Sequence, residues 1–388
     1  MSDPLFTPAF LRLMGAQALQ SIGYASMILL PRYLDALGAR RADIGVVMAA
    51  SAIGGLVTRP VVGAALDRLG RRPTLAVGTA ALAAGMMAFG FVTALGPLAL
   101  AASALVGVGT GTLFTGYFTL ASDLVPASRR TEGLALFGIA GLFPLIVNPL
   151  AARAGVDPLD IRWFLPAIGL LVASSLLLLR GVPEPPRRAA LPEVGGTGRA
   201  LLARPLWGVW VANAVFSALV ASFMSFALVI ADHRHLPDPA DVWFAYAFAA
   251  VGVRVGGARL PDRLGGGLML AAALLAYVGG VAALALAQDR LTLLLAGGLC
   301  GVGHGWCFPI LTSQVVTRTP PDRRGAAMAT FTGLWDLTKL LAPPALGVVA
   351  DALGDAAMLQ VAVGLALVGC AAWAALEARL NPSDRIAA

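Results

Sequence analysis

Gly63-Ala64-Ala65-Leu66-Asp67-Arg68-Leu69-Gly70-Arg71-Arg72, preceded by Arg59-Pro60, is the stretch whose reading decides the fold. Its skeleton returns as Arg254 followed by Asp262-Arg263-Leu264-Gly265. Arg and Asp are eight apart in both copies, and the copies lie 195 residues apart. A second pair sits at an offset of 194: Gly107-Val108-Gly109-Thr110-Gly111 against Gly301-Val302-Gly303-His304-Gly305. Without a gap, Phe114 then matches Phe308, Pro126 matches Pro320, Arg129-Arg130 match Arg323-Arg324, Phe137 matches Phe331 and Pro149 matches Pro343. The chain of 388 residues is therefore a duplication of about half its length, a period that governs every other assignment.

Apolar residues make up 58% of the chain and charged ones 13%, about half the charge of a soluble domain. Long apolar stretches alternate with short basic loops. Crossing a bilayer takes about twenty apolar residues. Twelve stretches qualify: 8–31, 43–65, 73–93, 97–121, 131–152, 163–180, 205–231, 242–260, 267–286, 291–316, 325–347 and 356–376. Backbone in hydrocarbon must satisfy its own hydrogen bonds, so each span is expected to be a helix. The expected fold is an all-α membrane protein, with twelve transmembrane helices in two pseudo-symmetric six-helix bundles. The only long polar loop holds Pro183, Pro185, Pro186, Pro192 and Gly195-Gly196. It divides an N-terminal bundle (1–181) from a C-terminal one (205–388), with 182–204 as a cytoplasmic linker. Duplicated halves in a membrane protein are a mark of transporters.

Arginine placement sets the orientation. With the N-terminus inside, twenty arginines fall on the cytoplasmic side and seven outside, which predicts both termini cytoplasmic. The formal charge of +7 is then topology, and no nucleic-acid partner is expected. The first span lacks the layout of a cleaved signal peptide and is expected to stay in the fold. Cys300, Cys307 and Cys370 all lie inside spans and read as small buried apolar residues. Asp232-His233-Arg234-His235 has an arginine in its midst and no third ligand, so neither a metal nor a cofactor is expected.

The loop motif narrows the fold. A Gly, three residues, Asp-Arg, one residue, Gly, then two basic residues closely resembles the signature between helices 2 and 3 of the major facilitator superfamily. The degenerate second copy falls between spans 8 and 9, and Pro126 with Arg129-Arg130 after span 4 is similar to the same family. The resemblance implies a monomeric secondary transporter that moves a small organic molecule across a lipid bilayer by alternating access. It implies a gating role for Gly63, Asp67, Arg68, Gly70, Arg71, Arg72, Arg129 and Arg130, with Asp67 at the start of helix 11 and Arg71 paired with Asp123. In the second half the places of Arg71 and Asp123 are taken by Gly266 and Thr317, so both partners are absent together. The alternative is that these charges only set topology.

Ionisable groups inside spans are expensive and point to function. Nearly all Asp and Glu fall in loops or at span ends; Asp336, mid-way along span 11, is the exception. Three residues on is Lys339, the only lysine of the chain, on the same helical face. Their first-half counterparts are Leu142 and Leu145, so the pair is not part of the duplicated scaffold. Either Asp336 exchanges a proton or binds a cationic group with Lys339 as counter-charge, or the pair only locks span 11 to a neighbour. His304 in span 10 suits proton handling, and equally suits packing. Polar stripes add cavity candidates: Gln17, Gln20, Ser21 and Tyr24 on span 1; Thr112, Thr115, Thr119 and Ser122 on span 4; Trp210, Asn213 and Ser217 on span 7; Trp306 on span 10; Trp335 on span 11. In the family, helices 1, 4, 7 and 10 line the cavity; otherwise such groups bond neighbouring helices. Little charge with several aromatics suits an amphipathic or neutral organic substrate better than a phosphate or dicarboxylate.

The general look of spans 2, 4, 8 and 10 resembles bacterial drug and sugar efflux members, which implies proton-driven export across a bacterial inner membrane. Exporters often carry Gly-Pro late in helix 5; here Asn148-Pro149 departs from that, and import by proton symport or facilitation stays open. A membrane enzyme is not indicated, since no His-Glu-x-x-His and no Gly-x-Ser-x-Gly occurs. An ATP-driven pump would need a phosphate-binding Gly-x-x-x-x-Gly-Lys-Ser/Thr loop, which is absent. A non-transporting membrane sensor is the remaining alternative of another class.

Overall fold

The computed structural model describes residues 5–126, 137–141, 143–184, 204–257, 260–320 and 324–380. Regular structure among them is helical. The helices are α1 (Pro8–Ser26), α2 (Leu30–Ala36), α3 (Arg41–Arg68), α4 (Arg71–Ala88), α5 (Pro97–Leu124), α6 (Val147–Arg153) and α7 (Ile161–Arg180). They continue as α8 (Trp207–His233), α9 (Val242–Gly256), α10 (Leu260–Leu264), α11 (Gly266–Leu286), α12 (Arg290–Thr317), α13 (Arg324–Leu353) and α14 (Asp355–Leu380).

Among the described residues nine helical stretches are long and apolar enough to cross a membrane: Pro8–Ala36, Arg41–Leu66, Arg71–Phe91, Pro97–Leu124, Pro158–Arg180, Arg204–His233, Gly266–Leu286, Arg290–Thr317 and Asp355–Leu380. Three expected spans fall short of that measure. Phe137–Ala151 is short, and residues 131–136 of that expected span lie outside the described residues. α9 has 15 residues. α13 has 30, but Asp336, Lys339 and the Pro343-Pro344 pair lower its hydropathy. Large apolar side chains stand outward along the helices, among them Val57, Val61, Val77, Phe91, Leu170, Leu177, Phe248, Leu295, Leu365 and Val368. A water-facing surface would seldom carry so many, whereas hydrocarbon accepts them.

The chain divides into two compact units, residues 1–39 with 46–191, and residues 40–45 with 192–388. In the first, α4 packs on α5 and α7, and α1 on α7. In the second, α12 packs on α9 and α11, α13 on α8, and α14 on α8 and α11. The glycine run explains the tight crossings. A Cβ on Gly107 would strike the Ser51 backbone of α3, one on Gly109 the Leu82 backbone of α4, and one on Gly111 the Gly55 backbone of α3. The second unit repeats this at the same offset. Gly301 lies against the Tyr246 backbone of α9, Gly303 against Ala273 and Tyr277 of α11, and Gly305 against Ala250 of α9. Gly85 against Ala102 and Val106 is likewise reproduced by Gly280 against Ala296 and Cys300. The duplication is thus a duplication of packing, with small residues letting helix backbones approach.

Helix ends are finished by polar groups. Asp289 caps α12, accepting from the Thr292 N–H at 2.8 Å, and this bond holds its carboxyl below the usual range. The cap of α3 comes from another helix. Both Asp351 oxygens, on α13, accept from the backbone N–H groups of Arg41 (2.8 Å) and Ala42 (2.9 Å), while the Arg41 guanidinium reaches Asp355 at 3.0 Å. This is why residues 40–45 group with the second unit.

Enlarging a crossing glycine tests the packing. Gly107→Leu or Gly301→Leu is expected to destabilise its unit by about 1–3 kcal/mol or more. Gly364→Leu, which meets open space, should leave melting temperature and elution profile unchanged. Thermal unfolding of detergent-purified protein followed by size exclusion checks this.

Candidate functional site

In the first unit Gly70, with φ +109°, turns the chain between α3 and α4 in a conformation that favours glycine. A Cβ there would also lie 2.8 Å from the Glu184 carboxylate. That carboxylate accepts the backbone N–H groups of Arg71 and Arg72, the latter at 2.9 Å, and so caps α4. The Arg71 side chain turns inward: its Nε lies 3.2 Å from Asp123 Oδ2 on α5, and its Nη1 donates to the Leu66 carbonyl at 2.6 Å. Both members of the Arg71–Asp123 pair are only about one-tenth exposed. Arg68 is exposed at the end of α3. Gly63 has no described residue within 4 Å of where a Cβ would stand. The Asp67 side chain, Arg129 and Arg130 lie outside the described residues.

Glu184 was missed by sequence reasoning. It lies 113 residues from the motif it clamps, in what reads as a linker, and only Pro183 beside it hints at a fixed turn. The second unit has its own charged clamp at the end of α12, where Arg318 makes a two-pronged pair with Glu377 of α14 at 2.7 and 2.8 Å.

The polar stripes divide. On α1, Gln17, Gln20 and Ser21 are buried, and Tyr24 is 37% exposed. Gln17 donates to Ser21 Oγ at 3.3 Å, and its Oε1 has no hydrogen-bond partner among the described residues. On α5 the hydroxyls turn back on their own helix. Thr112 donates to Val108 O, Thr115 to Gly111 O, Thr119 to Thr115 O, and Ser122 to Thr119 O. Such bonds satisfy a hydroxyl in hydrocarbon without any ligand. The Thr115 hydroxyl is satisfied within α5 in this way.

In the second unit Asn213 is fully buried, and both ends of its amide are bonded to α13. Its Nδ2 donates to Phe331 O at 2.8 Å, and its Oδ1 accepts from Trp335 Nε1 at 2.9 Å. One turn on, Thr338 donates to Ser217 Oγ at 2.7 Å. Asn213 is thus a brace between α8 and α13, not a free cavity contact. His304 is buried, bonded through Nδ1 to the Tyr246 hydroxyl, and ringed edge-on by Phe216 and Tyr246. Of its two sequence readings, the packing one fits this surround. Trp306 is half-buried, with its Nε1 3.4 Å from Gly257 O.

Asp336 and Lys339 stand near the middle of α13, and both are half-buried. Leu337, Leu341 and Val348 are the outward apolar side chains of the same helix. At about 100° per residue, Lys339 points about 160–180° away from all three, and Asp336 about 100–140°. Their face is turned away from these exposed apolar side chains. Lys339 feels the charge of Asp336, but makes no hydrogen bond or ion pair to a described residue. Asp336 does have interactions within the protein.

Comparison with known proteins gives the family. The profile of the Major Facilitator Superfamily matches residues 13–343, and again 267–385. The chain belongs to the Major Facilitator Superfamily. It is 27% identical over 361 residues to the uncharacterized MFS-type transporter STM4428 of Salmonella typhimurium, covering 89% of this chain and 90% of that one. It is also 27% identical over 377 residues to the MFS-type transporter BURPS1106A_3201 of Burkholderia pseudomallei, covering 93% and 90%. Among solved structures, the nucleoside transporter NupG has the same fold with a TM-score of 0.78 at 14% identity, covering 95% of this chain and 98% of that one. The human organic anion transporter MFSD10 follows at 0.72 and 18%, covering 96% and 100%. The protein is a multi-pass membrane transporter of this superfamily.

The brace gives a direct test. Asn213→Ala leaves Trp335 Nε1 without its partner and removes the second donor to Phe331 O, an expected cost of about 1–3 kcal/mol. Adding Trp335→Phe should cost less than the sum of the two single changes, because both remove one shared bond. Melting temperatures of the two single variants and the double variant decide it.

Proposed function

We propose that this transporter is a proton-coupled carrier of a small organic molecule, working by alternating access, with Asp336 as the group that takes up and releases the proton. The observation that carries the proposal is the acid itself. It lies mid-helix, faces away from the outward apolar side chains, has no counterpart in the first half of the repeat, and has the chain's only lysine three residues away. Charge at that depth is costly and is retained where it serves ion or substrate movement. Arg71–Asp123, the Glu184 cap and the adjoining motif residues form the gating element. Twelve helices cross the membrane, as a monomer in a bacterial inner membrane with both termini in the cytoplasm.

Export in exchange for protons is the favoured direction, from the likeness to bacterial efflux members. Symport is the second reading, and one observation favours it. Asn148, where exporters often have glycine, is fully buried and donates to Leu145 O at 3.2 Å beside a short 3-10 turn, Phe143–Ile146. This part of the chain is built differently from the exporter pattern.

Inside-out vesicles with an imposed proton gradient, a pH-sensitive dye and a panel of small organic compounds test the proposal. Compound-dependent proton flux is expected in the wild type and is expected to vanish in Asp336→Asn at unchanged expression. Flux at the wild-type rate in that variant would remove Asp336 from the coupling role. For the gate, Arg71→Ala and Asp123→Ala should each lower transport by tenfold or more, about 1.4 kcal/mol, with the double variant no worse than either.

A further inference from the structure

We infer that Lys339 receives the anionic group of the transported molecule, and that the substrate class is a small organic monoanion with an aromatic or apolar body. The inference rests on the transport reading above and names its substrate. It begins with what surrounds Lys339 on α13. Trp335, one turn earlier on the same face, has its Nε1 bonded to Asn213. Thr338, the preceding residue, has its hydroxyl bonded to Ser217. Asp336 is engaged within the protein. The ammonium is the polar group of this turn that makes no hydrogen bond or ion pair to a described residue.

A bare ammonium at that depth is unfavourable, and a scaffold that merely stored a charge pair would close it up. Here the lysine is half-buried, on the side of the helix away from Leu337, Leu341 and Val348. Its exposed part is therefore on the opposite side of the helix from the outward apolar side chains. An ammonium is a compact point charge with three donors, suited to one carboxylate or an equivalent anion. A phosphate or dicarboxylate would call for further cations, and Lys339 is the only basic residue of α13 after Arg324.

The remainder of the substrate follows from the neighbours. Trp335 is half-buried and stacks edge-on against Phe216 and Phe308, with ring centroids 5.2 and 6.1 Å away. With its N–H occupied, it offers aromatic surface alone. Lys339 and Trp335 are about 6 Å apart along the helix axis. An acid whose carboxylate meets Lys339 can therefore lay a ring or short apolar body toward Trp335.

Binding to purified full-length protein in detergent tests this, using benzoate and phenylacetate, uncharged benzamide and cationic benzylamine. Titration calorimetry is run on wild type, Lys339→Gln, Lys339→Arg and Asp336→Asn, each first checked by size exclusion. The carboxylates should bind the wild type at least about tenfold more tightly than benzamide. Lys339→Gln should abolish that preference, and Lys339→Arg should retain it. Equal affinity for benzoate and benzamide, tighter binding of benzylamine, no carboxylate binding to wild type, or an unchanged preference in Lys339→Gln would each overturn the inference. Should Lys339→Gln fail to fold, the wild-type preference and its retention in Lys339→Arg decide alone. Asp336→Asn separates the two proposals. Retained carboxylate binding with lost proton flux supports both, whereas retained binding with normal flux removes the proton role and leaves Lys339 standing.

Discussion

Hydrocarbon offers no hydrogen-bond partner, and most of what this chain does with its polar groups follows from that. The hydroxyls of α5 bond the carbonyl three or four residues back. Asn213 gives both ends of its amide to α13. Arg71 has Asp123 and a backbone carbonyl together. Each arrangement removes an unpaired dipole or charge that would cost several kcal/mol in an apolar medium. The same constraint makes glycine the packing residue. With no hydrophobic drive between helices in lipid, close backbone contact supplies the association, and a Cβ at Gly107 or Gly301 would prevent it.

The two units solve the crossing problem identically and the charge problem differently. The glycine contacts of α5 and α12 superimpose residue for residue at the repeat offset. At the ends, the first unit uses Glu184 to cap α4 and Asp123 to receive Arg71, whereas the second ties Arg318 to Glu377. Selection on packing preserves a repeat because a backbone crossing has one geometry. Charge pairs at helix ends can be rebuilt from whichever acid and base lie within reach, so they drift apart between copies.

The duplication was legible because its signal is spacing, and spacing survives where identity does not. The mid-helix position of Asp336 and Lys339 was legible from the length of the apolar span around them. Arg71 with Asp123 could be named from the family resemblance, since 52 residues separate them and no local pattern joins them. Glu184, Asp351 and Glu377 were not legible. Each makes its bond across 59 or more residues, from a site that reads as an ordinary acid in a linker or near a helix end. The α5 threonines are ambiguous for a physical reason. Spacings of three and four put side chains on one face, and they also bring a hydroxyl to its own helix's carbonyl. The stripe cannot distinguish a cavity wall from self-satisfied hydroxyls. Asn213 is ambiguous similarly, because a buried amide is needed as much to join two helices as to meet a ligand.

α13 brings these threads together. Its outward side, Leu337, Leu341 and Val348, meets lipid, and the side bearing Phe331, Trp335 and Thr338 is fastened to α8. Fastening at two successive turns fixes the rotation of the helix about its axis. With rotation fixed, the direction in which Lys339 and Asp336 leave the helix is fixed as well, without any contact between those two and α8 being required. A charged pair on a freely turning helix would swing toward whichever partner lowered its energy, and would lose its use. The polar bonds of Asn213 and Ser217 therefore do for orientation what glycine does for distance. They hold a costly group on the face turned away from the outward apolar side chains.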